Sequence, residues 1–329
     1  VKDKINIAVL AGGDSSEFHI SLLSAEAVAQ NLDKEKYNVY TVRIKGSEWT
    51  LINDLNCGIV INKNDFSFSD NGQKIKFDII FPVIHGTPGE NGLLQGYFKM
   101  LNIPVIGCDV LTSALTFNKF YCNNYLRNFG IVHIADSELI KKDTDYQISE
   151  IIDKVGLPCF VKPDAGGSSF GVSKVKSIDT IEEAIRIAFE ESDSVIIESF
   201  IDGREFSCGI FKVEGKEYRL PLAEIISKNE FFDYQAKYNS DFNQEVIPAE
   251  ISTELSQKCQ DTASEIYDAL NCKGIVRMDF KMNNNEFWFL EVNSIPGMTN
   301  ESIIPKMIRK AGMTFKETAD LLINELLKK

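Results

Sequence analysis

The 329-residue chain is 44% hydrophobic and 25% charged, a globular profile with room for two or three domains around sizeable cores. A formal charge of -13 with no long Lys/Arg block argues against a nucleic-acid or anionic-membrane surface. Seven scattered cysteines without C-x-x-C spacing suggest free thiols in a reducing, cytoplasmic setting; three histidines are too few to make zinc plausible with them, and no run is apolar enough to span a bilayer.

In chain order, "INIAVLA" is too short and too interrupted by Asn6 for a signal segment and reads as a first strand. Further strand-like runs ("YNVYTVRI", "FDIIFPVI", "PVIG") alternate with helical patterns such as "SSEFHISLLSAEAVAQNL", which predicts a parallel, Rossmann-like α/β sheet over residues 1–107. A smaller α+β unit is expected over 108–197: one helix around "VLTSALTFNKFYCNNYLRNF", then "PCFVKP", a Gly/Ser loop, "GVSKV", a helix and "SVIIES". The remainder, 198–329, carries strands "EFSCGIFKV" and "PLAEII", a long polar and aromatic loop "SKNEFFDYQAKYNSD", a helix near 252–270, a hairpin and two closing helices. Loops of that length are often lids or binding loops, or else plain surface excursions.

The hairpin "KGIVRMDFKMNNNEFWFLEVNSIPGMT" carries chemistry. In its first strand Val276, Met278, Phe280 and Met282 share one face, while Arg277, Asp279 and Lys281 share the other. Strict alternation puts Trp288, Leu290 and Val292 together and turns Glu291 and Asn293 the opposite way. A three-residue turn at 283–285 would set Arg277 opposite Glu291 with Asp279 as its diagonal neighbour. A cross-strand ion pair is one reading, but it leaves Asp279 unexplained. Carboxylates within about 4 Å repel by ~4 kcal/mol at an effective dielectric near 20, and a hard divalent cation more than reverses this. Two acids and an amide suit a magnesium ion, or manganese, shared with a nucleotide's phosphates.

That requires a phosphate site nearby. "CFVKPDAGGSSFGVSKV" reads as strand, loop, strand, with glycines around Ser168 and Ser169 whose backbone N–H groups and hydroxyls suit an anion, although such a loop can be a turn and nothing more. Lys162, on an apolar strand just before it, needs an anionic partner. No Walker A loop and no G-x-G-x-x-G occurs.

Taken together, "VKPDAGGSSFGVSKV", "VIIESFIDGREF", "FFDYQAKY", "RMDF" and "LEVNSIPGMT" resemble the ATP-grasp superfamily, and with "AGGDSSEFHIS" and "HGTPGENGLLQG" the chain resembles the D-alanine:D-alanine ligases over nearly its whole length. The resemblance implies an ATP-grasp fold: an N-terminal substrate domain, a central domain with the phosphate loop and a C-terminal domain with the lid and hairpin. It implies an ATP-dependent, ADP-forming ligation of two D-alanines through an acyl phosphate for peptidoglycan precursors, or of D-alanine to D-lactate or D-serine. ATP would come with two metal ions, and the enzyme would be a homodimer.

Residue by residue, the resemblance puts the metal on Asp279, Glu291 and Asn293, in agreement with the hairpin. It puts ATP phosphates on Lys119, Lys162, Ser169 and Lys237, and the adenine and ribose on Glu198, Glu205 and Leu290. Glu17 would bind the first D-alanine's ammonium and form a lid-holding triad with Ser168 and Tyr238. Arg277 would stabilise the oxyanion, and Gly297, Ser302 and His85 would contact substrate. On residues alone, Glu17 could be a helix N-cap, Lys119 a helix-surface lysine, Glu198 and Glu205 a solvated strand edge, Ser302 a helical serine and His85 a loop histidine. Phe18, His19, Asn91, Ser199 and Ile295 depart from the family's common pattern.

Overall fold

The computed structural model describes residues 4–52, 58–167, 170–227 and 243–328. The apolar run Ile5–Gly12 forms a strand whose two faces both meet a core: Ile7, Val9 and Ala11 on one side, Ala8 and Leu10 on the other. Burial on both faces is what a near-continuous apolar strand in an α/β sheet requires. Its sheet runs in the order Ile59–Val60, Glu48–Ile52, Tyr37–Lys45, Ile5–Gly12, Ile79–Pro82. Only the pairings of Ile5–Gly12 are parallel, so the sheet is mixed where a parallel one was expected. Gly46, with φ 52°, lets the chain reverse within two residues and pair Lys45 with Glu48. "PVIG" contributes only a bridge between Ile80 and Val105.

A four-stranded antiparallel sheet follows, ordered Ser173–Val175, Cys159–Pro163, Ser194–Ser199, Ser137–Lys141. Cys159, Val161, Val195 and Ile197 pack on helices Ile148–Val155 and Ile181–Glu191. Alternation therefore turns Phe160, Lys162 and Glu198 to the opposite face.

The third sheet has seven strands, with Arg204–Val213, Val276–Asn283 and Glu286–Asn293 at its centre. Phe206, Met278, Phe280 and Phe289 form its core with Cys259, Ala263 and Ile266 of helix Thr253–Ala269. Cys108, Cys122 and Leu126 belong to the same core, and His133–Ile134 adds a strand parallel to Glu286–Asn293. The start of the expected 108–197 unit thus packs with the third sheet. The single helix expected there is two, Val110–Phe117 and Lys119–Arg127, broken at Asn118, which is extended (φ -98°, ψ 102°) and bridges to Ala165. The closing helices Ile303–Lys310 and Phe315–Leu327 return to the first sheet through Ile304, Met307, Leu322 and Ile323.

Candidate active site

The hairpin turns on two residues. Asn283 pairs with Glu286, and Asn284 and Asn285 have φ of 51° and 63°, the left-handed pair that a tight hairpin turn demands and asparagine tolerates. The three-residue turn expected from the sequence is therefore absent. A bulge between Asp279 and Phe280 then leaves Leu290 as an extra residue in the second strand. Asp279 faces Glu291, and Arg277 faces Asn293; Arg277 is not opposite Glu291. The bulge also breaks strict alternation: Phe287, Phe289 and Val292 all reach the core, while Leu290 joins Glu291 and Asn293 in lining the cleft.

Arg277 ion-pairs along its own strand with Asp279, with Nη2 2.8 Å from Oδ2 and Nε 3.0 Å from Oδ1. Burial pulls the guanidinium's pKa down, but the charge of Asp279 and its hydrogen bonds, followed by Glu291, outweigh it and hold it above its ordinary value. Asp279 also accepts a 2.6 Å hydrogen bond from Ser207, its register partner on the neighbouring strand. Glu291 lies 3.3 Å from the Lys119 ammonium. Asn293 Oδ1 accepts from the Ile295 N–H at 3.1 Å. Among the described residues no group of three or more His, Cys, Asp or Glu side chains is arranged to hold a metal ion; the candidate set here is two carboxylates and an amide oxygen. Such an all-oxygen set suits a hard cation.

The break at Asn118 starts a helix beside the Gly/Ser loop. The Lys119 N–H donates to Asp164 O, the Phe120 N–H donates to Asp164 Oδ1 at 2.7 Å, and Lys119 Nζ donates to Gly166 O at 2.8 Å. Lys119 is accordingly not a surface lysine; its side chain is 11% exposed. Lys162 donates to Glu198 across two antiparallel strands at 2.5 Å, and Glu198 is buried within the sheet, not on a solvated edge. Glu205 pairs with Lys281 at 3.0 Å.

The opposite wall is made by loops at the carboxyl ends of Ile5–Gly12 and Ile79–Pro82, the usual ligand side of an α/β sheet. Their backbones touch: the Asp14 N–H donates to Thr87 O at 2.9 Å, and a Cβ on Gly13 would lie 2.5 Å from the Ile84 side chain. Ser15 Oγ donates to His85 O at 2.7 Å. Glu17 occupies the N-cap position of helix Phe18–Asn31 but makes no capping bond with its side chain. The His85 ring is buried, with Nδ1 2.9 Å from Ile295 O. Glu90 is buried too, accepting from the Gly86 N–H at 2.6 Å, and burial with the Glu17 charge pushes its pKa up to about 8. Near the Pro-Gly break, a Cβ on Gly297 would lie 2.8 Å from Ser302 Oγ, which is 2.8 Å from Thr299 Oγ1.

A cleft of about 1590 Å³ brings these walls together, lined by every described candidate: Glu17, His85, Lys119, Lys162, Glu198, Glu205, Arg277, Asp279, Leu290, Glu291, Asn293, Gly297 and Ser302. Ser168, Ser169, Lys237 and Tyr238 lie outside the described residues, as does nearly all of the long loop. Sequence reasoning missed Glu90, Ser207 and Asp164. Glu90 had a signal in its glycine-flanked loop; Ser207 had none, because only register places it beside Asp279.

The family profile described as the D-ala D-ala ligase N-terminus matches residues 6–108, and that for the D-ala D-ala ligase C-terminus matches 126–327. The chain belongs to the D-alanine–D-alanine ligase family. A D-alanine–D-alanine ligase from Phocaeicola vulgatus is 48% identical over 98% of this chain and 99% of its own. Among solved structures, the VanG D-Ala:D-Ser ligase from Enterococcus faecalis is 34% identical with a TM-score of 0.87, over 98% of this chain and 100% of that one. The D-alanine–D-alanine ligase from Bacillus anthracis complexed with ATP is 30% identical with a TM-score of 0.79, over 99% and 98%. The ATP-grasp fold and the ligase class follow from this family membership. Lys119 falls in this ligase between the two matched spans.

Proposed function

We propose that this ligase joins two D-alanine molecules into D-alanyl-D-alanine for peptidoglycan precursors, converting ATP to ADP through a D-alanyl phosphate. The supporting observation is Lys119, whose ammonium links the Gly/Ser loop at Gly166 O to the hairpin acid Glu291, so that phosphate side and hairpin side form one site. A free carboxylate is a poor acyl donor, since oxide would have to leave; phosphorylation supplies a leaving group. Glu17 would hold the first D-alanine's ammonium, with Ser168 and Tyr238 closing the lid over it. Lys119, Lys162 and Lys237 would neutralise the transferring phosphoryl group, with Ser169 at the phosphates and Glu198, Glu205 and Leu290 around adenine and ribose. Arg277 would meet the oxyanion that forms when the second amine attacks. Gly297 would contact the substrate through its backbone, and Ser302 would take the second carboxylate.

Asp279, Glu291 and Asn293 would hold two magnesium or manganese ions with ATP; bound there, the metal would neutralise phosphate oxygens. Ser207 orients the Asp279 carboxylate by donating to its Oδ1. We further propose a homodimer, supported by exposed Leu93, Met100 and Leu111 on the adjoining helices Leu93–Met100 and Val110–Phe117. A cytoplasmic setting is supported by the six described cysteines, all free and buried; no described helix is long and apolar enough to cross a membrane.

The test is incubation with ATP, magnesium and D-alanine, reading the dipeptide by mass and phosphate release that requires D-alanine. Absence of both would overturn the proposal. Offering D-serine and D-lactate in competition decides the second substrate, with D-alanyl-D-alanine expected to dominate.

A further inference from the structure

The His85 ring presents an unusual pairing of a fixed end and an orphaned end. Nδ1 lies 2.9 Å from the carbonyl oxygen of Ile295, which can only accept, so Nδ1 carries the proton and donates. The tautomer then leaves a lone pair on Nε2. That nitrogen is buried and has no hydrogen-bond partner among the described residues, on a residue that lines the cleft and is 4% exposed. A buried acceptor without a partner is costly unless a ligand supplies the donor.

We propose that His85 Nε2 is the proton acceptor that converts the ammonium of the second amino acid into the attacking amine. This rests on the ligase reading above. His85 is fastened to Ile295, two residues before Gly297 and on the same segment as Ser302, the side assigned to the second carboxylate. The protons balance. One passes from the ammonium to Nε2; the neutral nitrogen forms the C–N bond to the acyl carbon; the C–O bond to phosphate breaks. The second nitrogen proton departs with the leaving phosphate as hydrogen phosphate, and the imidazolium later gives its proton to solvent.

The charged and titratable groups facing His85 agree with the role. Burial lowers its pKa most, Glu17 at the start of the first helix raises it, and Arg277 on the hairpin lowers it; the net is a lowering, so the ring is neutral and able to accept at neutral pH. On its own loop, Glu90 keeps its proton at neutral pH and cannot compete as the acceptor. Glu17 is committed to the first ammonium. Burial and Arg277 also disfavour the charged form of an amine brought beside the ring, which narrows the gap the proton must cross.

The test uses the full chain with ATP, magnesium and D-alanine, with and without hydroxylamine, an amine already uncharged at neutral pH. His85→Gln is expected to lower dipeptide formation by about 100-fold or more, the scale of general base catalysis. D-alanine hydroxamate formation, which needs the acyl phosphate but no base, should fall far less than dipeptide formation, so the ratio of hydroxamate to dipeptide rises, and its presence also reports a folded variant. Equal losses in both assays, or dipeptide formation close to the wild-type rate, would overturn the proposal. No hydroxamate from wild type would overturn the ligase reading itself, a separate result.

Discussion

The two walls of the cleft are built differently. The hairpin wall carries Arg277, Asp279, Glu291 and Asn293 on paired strands whose opposite face is anchored by Met278, Phe280 and Phe289 in the core. The facing wall carries Glu17, His85 and Glu90 on loops whose shape depends on glycine contacts and backbone hydrogen bonds. Strands fix side chains by ladder bonds and a packed face, which suits charged groups that keep fixed positions. The loops bury His85 and Glu90, and that burial shifts their proton affinities. One wall carries charge at fixed positions, and the other carries groups whose proton affinities are shifted.

This division can be broken by substitution. Arg277→Ala should show the largest effect, lowering turnover by about two to three orders of magnitude, the scale of a lost oxyanion donor, while nucleotide binding measured by calorimetry persists. Near-normal turnover would remove the hairpin's role in charge stabilisation. On the loop wall, Glu90→Gln should change pH dependence more than rate. The native carboxyl has its pKa pushed up to about 8, above the ordinary value of 4.5. Its contribution to stability is therefore fully present below the unfolded value and is lost as pH rises through about 8. Urea unfolding of the wild type should weaken between about pH 5 and 8 by an amount on the order of a few kcal/mol, and the Gln variant should lack that slope. An identical slope in both proteins would show that Glu90 does not govern it.

A smaller effect is expected at Ser207→Ala. Losing its 2.6 Å hydrogen bond frees one oxygen of Asp279 from its orienting partner. Titrating activity with magnesium should show the half-saturating concentration raised by about tenfold, the scale of losing an outer contact to a metal ligand. An unchanged requirement would mean that Arg277 alone orients Asp279.

The same contrast explains what could be read in advance. The polar side of Val276–Asn283 was legible because alternation is local, and Arg277, Asp279 and Lys281 needed only a strand to line up. The pairing across the hairpin was not. It depended on Asn284 and Asn285 taking a two-residue turn and on Leu290 bulging out, choices made by packing of Phe289 and Val292. The helix break at Asn118 was hidden because neither Pro nor Gly interrupts the run around it, and only contact with Ala165 and Asp164 marks it. Glu90 had only the glycines of its loop as a signal, and these mark a tight turn without showing that its carboxyl is buried.

By itself, the sequence determined the ATP-grasp framework, the family and a set of candidate side chains whose described members all line one cleft, because strand alternation and motif order are properties of neighbouring residues. Tertiary structure alone decided that Asp279 faces Glu291, that Lys119 bridges loop and hairpin, and that His85 is held by Ile295. Those relations join residues far apart in the chain, and their geometry follows from register, bulges and close backbone approach, which no local pattern encodes.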